Sequence, residues 1–322
     1  MSDRYARQIV LPEVGADGQG RLRGASVLVA GAGGLGCAVL EYLCAAGIGR
    51  LLTVDPDLVE ESNLHRQPLY RMADLGRPKA SAAVAALLER NPQVCLEAAV
   101  QRITPANASD WVSRADVIVD AADSLALTYM LSDACHHQGK ALVSASVLGL
   151  AGYAGVFCGG APSYRAVFPD MPTQAGSCAA SGVLGTAVGV MGTLQAHLTL
   201  AHILALDPPV RGRLVSVDFR TLRFGGFSFA AASEPAAPQL RFIAREDVRA
   251  GDVIVDLRSV AEAPVSPFPT ALRLGVEELR SARLPAGERL VLCCRSGVRA
   301  WRAARSLLSH EVRDVALVAL GE

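Results

Sequence analysis

Residues 26–36 read Ser26-Val27-Leu28-Val29-Ala30-Gly31-Ala32-Gly33-Gly34-Leu35-Gly36. The apolar, β-branched run has the composition of a strand buried on both faces, and the glycines after it permit a tight turn that opens straight into a helix. Backbone N–H groups at such a turn can approach a phosphate closely, and the helix N-terminus favours its negative charge. Working outward, the chain alternates short apolar runs with helical stretches: a helix over 35–46, a strand over 50–55, a helix over 79–90 and a strand over 94–100. The series continues with a strand over 116–120, a helix over 125–137 and a strand over 141–147. This predicts an α/β fold with a Rossmann-like, mostly parallel sheet and helices on both faces.

Hydrophobic residues make up 51% of the 322, enough for a large domain and a small one. Basic and acidic side chains number 31 each, so no overall field draws nucleic acid or an anionic membrane, and any anion site must be local. The opening MSDRYARQ carries no apolar signal core, which leads us to expect a cytoplasmic protein. The stretch 181–206 is long and nearly uncharged. Gln195, His197, Thr199 and His202 interrupt it, and Gly185, Gly189 and Gly192 suit a helix packed tightly inside a protein or at a dimer interface, so we expect it to be buried.

An Ala- and Pro-rich stretch at 229–238 divides the chain into a domain over 1–228, a linker, and a smaller α/β domain over 239–322. The second domain is expected to have strands over 253–257 and 289–293 and helices near 276–281 and 298–308.

Gly31, Gly33, Gly34 and Gly36 form a nucleotide-binding pattern whose commonest ligand is a nicotinamide or flavin dinucleotide. Asp55, ending the next strand, can accept hydrogen bonds from ribose hydroxyls. Arg66, in Ser62-Asn63-Leu64-His65-Arg66-Gln67, and Lys79, in Gly76-Arg77-Pro78-Lys79, then supply two cations, which a triphosphate needs and a dinucleotide pyrophosphate does not. That shifts the expected ligand to ATP. Asp123, just past the strand over 116–120, has two readings: it holds Mg2+ against the phosphates, or it caps the following helix.

The order RYARQ, GAGGLG, VDPD, SNLHRQ, G-x-P-K, Asn91-Pro92, the Asp123 region and SGVLGTAVGVMGTLQA resembles the ThiF/MoeB family of adenylyltransferases, relatives of ubiquitin-activating enzymes, over about residues 4–226. The resemblance implies ATP-dependent adenylation of the C-terminal glycine of a small ubiquitin-like sulfur-carrier protein ending in Gly-Gly, as a prelude to a thiocarboxylate. It implies catalytic roles for Arg66, Lys79 and Asp123, with Asp123 the Mg2+ ligand. Asn63 would lie near the phosphates, and Asp55 at the ribose with Asp57 beside it. Arg7 would reach the nucleotide of a partner subunit, which implies a homodimer. Cys178 aligns with a family cysteine that can attack the acyl adenylate; its other reading is a small packing residue.

The chain also departs from the family pattern. Ser163-Tyr164-Arg165-Ala166 stands where the family has a CxxC, and 217–239 has no cysteine for a second, so no structural zinc is expected. Ala122-Asp123-Ser124 replaces Thr-Asp-Asn, and Thr128 stands where an arginine is expected. These changes leave open a scaffold that binds a carrier without turning over.

Residues 239–322 resemble a short rhodanese domain. Cys294-Arg295-Ser296-Gly297-Val298-Arg299 would form its loop, with Cys294 carrying a persulfide and Arg295 and Arg299 holding anionic sulfur donors. A cysteine desulfurase or thiosulfate would supply the sulfur. A module used only for docking is the alternative.

Overall fold

The computed structural model describes residues 3–172, 182–236, 240–284, 289–308 and 314–321. Cys178 lies outside the described residues. The predicted alternation is present. Strands β1 (Ser26–Ala30), β2 (Arg50–Val54), β3 (Cys95–Ala99), β4 (Val117–Asp120) and β5 (Ala141–Leu148) form parallel neighbours in the order β3-β2-β1-β4-β5. Along the first domain run helices α1 (Ala6–Ile9), α2 (Gly15–Gly24), α3 (Gly34–Ala46), α4 (Lys79–Arg90), α5 (Ala108–Ser113), α6 (Leu125–Gln138), α7 (Tyr164–Val167) and α8 (Gly185–Leu204). Val27 and Val29 of β1 join the core that contains residues of α3, α4 and α8, while Leu28 and Ala30 join the one that contains residues of α5 and α6. Burial on both faces explains the unbroken apolar run in the sequence.

The sheet extends further than the periodicity shows. Strands β6 (Ala151–Cys158), β7 (Arg213–Asp218) and β8 (Arg223–Ser228) add three antiparallel pairings. Each of β6 and β8 contains two glycines, and β7 follows β6 only after α7 and α8, so neither alternation nor spacing announces them.

Helix α8 is the one helix among the described residues long and apolar enough to cross a membrane by length and composition, and 56% of its apolar window is buried inside the protein. Gly185 and Gly192 serve close packing, as expected, whereas no described residue lies within 4 Å of a Cβ placed at Gly189. A Cβ on Gly192 would fall 2.6 Å from the Leu35 carbonyl oxygen, so α8 can lie this close to α3 only with glycine there. Gln195, a polar interruption in that helix, is fully buried and donates to the Asp120 and Val143 carbonyls at 2.6 and 3.0 Å.

The second domain holds an all-parallel sheet of β9 (Arg241–Phe242), β10 (Val253–Asp256), β11 (Leu272–Arg273), β12 (Leu290–Cys294) and β13 (Val315–Ala319), in the order β11-β10-β12-β13-β9. Helices α9 (Val276–Ser281) and α10 (Val298–Leu308) stand where the sequence places them.

The two domains share a core. Trp301 of α10 is 2% exposed and lies 5.0 Å, ring to ring, from Tyr129 of α6. The Arg165 guanidinium sits over both rings and pairs with Asp133, while Arg305 pairs with Asp170 at 2.6 Å. Residues 229–236, expected as a plain linker, are anchored instead. Phe229 is buried and stacks on Phe157, and Glu234 accepts from the Ser163 N–H and hydroxyl, both at 2.6 Å.

Asp120, at the carboxyl end of β4, is fully buried and binds β4 to its neighbours: one carboxylate oxygen accepts from Thr128 of α6 at 2.7 Å and from Ser144 of β5 at 2.8 Å. Its other oxygen, Oδ1, has no partner among the described residues. Burial pushes this carboxyl up from the ordinary 3.8 to about 6, against the opposing pull of those hydrogen bonds. The folded protein therefore binds this proton more tightly than the unfolded chain, and stability falls as pH rises through that interval. Asp120→Asn removes this dependence. Relative to wild type, the variant should gain stability between about pH 5 and about pH 8, on the order of 1 kcal/mol, read as the change in the difference of urea-unfolding free energies. A difference that does not vary with pH would show that Asp120 is not the buried acid described here.

Candidate functional site

In a doubly wound sheet, ligands settle at the carboxyl ends of the strands where the strand order reverses. Here that point lies between β1 and β4, with β2 on the other side of β1. The glycine turn follows β1. Gly31 has φ +98°, and a Cβ on Gly36 would overlap the Gly31 carbonyl oxygen, so the turn from strand to helix closes only with glycine at that position. Gly33 is the N-cap of α3, and Gly34 begins the helix. Among the described residues, only the Gln67 Nε2 atom, at 3.8 Å, comes within 4 Å of where a Gly33 Cβ would be.

Asp55 closes the turn from the side of β2. Its carboxylate accepts from the Ala32 N–H at 2.6 Å and the Asp57 N–H at 2.8 Å. The residue is 5% exposed, and burial raises its pKa against these two bonds. Both of its oxygens are thus engaged in holding the loop that leads to Asp57. Asp57 is exposed and pairs with the Lys79 ammonium at 3.0 Å, while its carbonyl accepts from the Lys79 N–H at 2.8 Å. Lys79 itself is 7% exposed at the start of α4.

The 61–67 segment lies on the other flank. Its Arg66 carbonyl oxygen is 3.3 Å from where a Gly34 Cβ would be. The Arg66 guanidinium is half-buried and donates to the Ser62 carbonyl at 3.0 Å. Asn63 is buried, donates to the Ser62 hydroxyl at 3.2 Å, and leaves its Oδ1 without a partner among the described residues. Asp123 is exposed beyond the end of β4, two residues past Ala121, whose carbonyl lies 2.9 Å from the Gly31 Cβ position.

Of the two readings of Asp123, the cap is not the one observed. The N-cap of α6 is Ser124, whose hydroxyl accepts from the Leu127 N–H at 3.4 Å. Thr128, which stands in place of the expected arginine, uses its hydroxyl on Asp120. Both departures from the family pattern therefore have local physical roles in supporting the loop that carries Asp123. The CxxC position likewise has other work: Ser163 caps α7 and binds Glu234, and Arg165 pairs with Asp133.

The fold brings together Gly31, Gly33, Gly34, Gly36, Asp55, Asp57, Asn63, Arg66, Lys79 and Asp123 at one sheet edge. It does not bring Arg7 there. Gln8, next to it, donates to the Ala46 carbonyl at the far end of α3, a helix about 20 Å long, and Tyr5 accepts from Asn91 at 2.8 Å. Arg7 is exposed at that remote end.

Cys294 differs from the expected loop cysteine. It closes strand β12, its carbonyl accepts from the Leu320 N–H at 3.0 Å, and it is fully buried. The Arg299 guanidinium lies near its thiol and pairs with Glu262. Cys293 joins a different core cluster, with its thiol pushed up to about 12 by burial. Past Cys294 the chain packs on the first domain: a Cβ on Gly297 would lie 3.3 Å from that of Ala126 in α6.

Sequence reasoning missed Asp120 and Gln67 as members of this edge. Gln67 was visible in the motif 62–67, but only burial and its place beside Gly33 single it out. Asp120 reads as one more residue of an apolar strand.

Known proteins resemble this chain in sequence and in fold. The ThiF family model matches residues 5–239. The chain is 48% identical over 228 residues to the adenylyltransferase and sulfurtransferase MOCS3 of Bos taurus, covering 68% of this chain and 50% of that protein. It is 43% identical over 224 residues to a sulfur carrier protein adenylyltransferase of Thermus thermophilus, covering 67% and 83%. The chain thus spans about half the length of the MOCS3 relatives it matches. A crystal structure of E. coli MccB with ATP superposes with a TM-score of 0.62 at 21% identity, over 70% of this chain and 72% of that one, and so shares the fold. By the family model and these identities, the chain belongs to the ThiF family.

Proposed function

We propose that this protein adenylates the C-terminal carboxylate of a small ubiquitin-like sulfur-carrier protein with ATP, and that its second domain then transfers sulfur to the activated carbonyl. The observation that supports the reading is Arg66 packed against Gly34 and Lys79 paired with Asp57 beside the glycine turn, with Asp123 exposed just past the end of β4, together with relatives named for sulfur-carrier adenylation. A carboxylate is a poor electrophile because oxide is a poor leaving group; as an acyl adenylate it can lose AMP. The carrier carboxylate is ionised near pH 7 and needs no general base. Its oxygen attacks the α-phosphorus, the bond from that phosphorus to the bridging oxygen breaks, and pyrophosphate departs with the electron pair.

Arg66 and Lys79 would stabilise the charge that grows on the pyrophosphate, and the Asp57 contact keeps the Lys79 ammonium in place. The backbone at Gly33 and the N-terminus of α3 would hold phosphate oxygens. Asp123, exposed at the same edge, is the residue that would hold Mg2+, which when bound neutralises phosphate charge. Arg7, remote from its own site, is assigned to the nucleotide of a partner copy in a homodimer.

In the second step the terminal sulfur of a Cys294 persulfide attacks the acyl carbon and AMP leaves, giving an acyl disulfide. Attack by a second thiol on Cys294 Sγ then releases the thiocarboxylate and leaves a disulfide; Cys178 is proposed for that role. The persulfide sulfur would come from a cysteine desulfurase or thiosulfate. Because Cys294 is fully buried, the segment after it must move for either step.

Asp123→Ala should abolish carrier-dependent ATP–pyrophosphate exchange, whereas Cys294→Ala should leave exchange intact and stop thiocarboxylate formation. Exchange at the wild-type rate in Asp123→Ala would remove Asp123 from the metal site. In the resting protein, alkylation mapped by mass spectrometry should modify exposed Cys95 much faster than Cys294; equal rates would contradict the covered thiol. Mixing the inactive Arg7→Ala and Lys79→Ala variants should restore exchange that neither shows alone, through mixed dimers holding one complete site. No recovery, with mixed dimers demonstrated, would place Arg7 outside the site.

A further inference from the structure

We propose that Gln67 is a nucleotide-binding residue whose side-chain amide contacts the triphosphate over Gly33; the proposal rests on reading this edge as an ATP site. Gln67 is 3% exposed, and its Oε1 has no hydrogen-bond partner among the described residues. Among the described residues, its Nε2 is the nearest atom to the place a Gly33 Cβ would take, at 3.8 Å, and the only one within 4 Å. The amide nitrogen therefore lies against the Gly33 face of the turn.

Its backbone is held firmly. The Gln67 N–H donates to the Asn63 carbonyl at 3.1 Å, and the Tyr70 N–H donates to the Gln67 carbonyl at 3.2 Å. Gln67 thus sits one turn beyond Asn63, whose Oδ1 is also buried and without a partner among the described residues, and directly after Arg66. Two carboxamides with unfilled oxygens on one turn are a repeated polar vacancy, and leaving buried polar atoms unpaired is destabilising. An apolar side chain of the same length would avoid that penalty at position 67. What it would lack is a neutral donor and acceptor beside two cations. A carboxamide can donate to a phosphate oxygen and accept from a hydroxyl or water that arrives with it, without cancelling the charge of Arg66 or Lys79.

The test measures the full-length protein by thermal unfolding and by calorimetric titration with Mg·ATP and with adenosine. Gln67→Met should unfold at or above the wild-type temperature in the absence of nucleotide, because a buried unpaired amide is gone. Its affinity for Mg·ATP should fall by about tenfold or more, while its affinity for adenosine stays at the wild-type value. Gln67→Glu, which keeps the shape and adds a charge that repels phosphate, should weaken Mg·ATP binding further and again spare adenosine. Unchanged ATP affinity in both variants would overturn the proposal, as would equal weakening for ATP and adenosine. A wild-type protein that binds no ATP would instead overturn the reading of the whole site.

Discussion

The Asp55 carboxylate joins two strands at the point where the site is built. One oxygen takes the N–H of Ala32, in the glycine turn after β1, and the other takes the N–H of Asp57, in the loop after β2. Charge-assisted bonds of this kind are roughly twice as strong as neutral ones; the first is buried and the second half-buried, so breaking either leaves a largely buried carboxylate less well compensated. From this clamp the rest of the edge follows. Asp57 is set where it meets Lys79 through both backbone and side chain, which starts α4 there and brings the ammonium toward the turn. The turn itself stays narrow enough for α3 to begin at Gly34 and for α8 to lie against it at Gly192.

A second buried acid does for β4 what Asp55 does for β1. Asp120 draws Thr128 and Ser144 onto one oxygen, so α6 and β5 are tied to the end of β4 just before the exposed Asp123. This gives a physical account of a departure from the family pattern. Thr128 is short enough to reach Asp120 from within α6, and Ser124 supplies the cap that frees Asp123 from that task. The site is thus supported by buried polar groups, and of the groups assigned to ligand Asp123 is exposed and Arg66 half-buried, while Lys79, Asn63 and Gln67 are buried.

The second domain is not tethered loosely. Trp301, Tyr129 and Arg165 form a stack across the boundary, and Phe229 and Glu234 fasten the connecting segment to the first domain. The same packing brings the segment after Cys294 against α6, the helix that follows Asp123.

The sequence by itself determined the βαβ alternation, the glycine turn, the acid after β2, the cations at 66 and 79, the buried character of α8 and the existence of a second α/β domain. These are local matters, since the period of apolar residues and the conformational freedom of glycine are written in neighbouring positions. Tertiary structure alone decided what depends on distant partners. Strand β7 pairs with β6 across the two helices between them, Ser124 rather than Asp123 caps α6, Asp55 spends both oxygens on backbone amides, and Cys294 lies inside a strand end. Gln67 shows the limit most clearly: its identity was legible within the motif 62–67, but its unfilled oxygen exists only because folding removes it from water without giving it a partner.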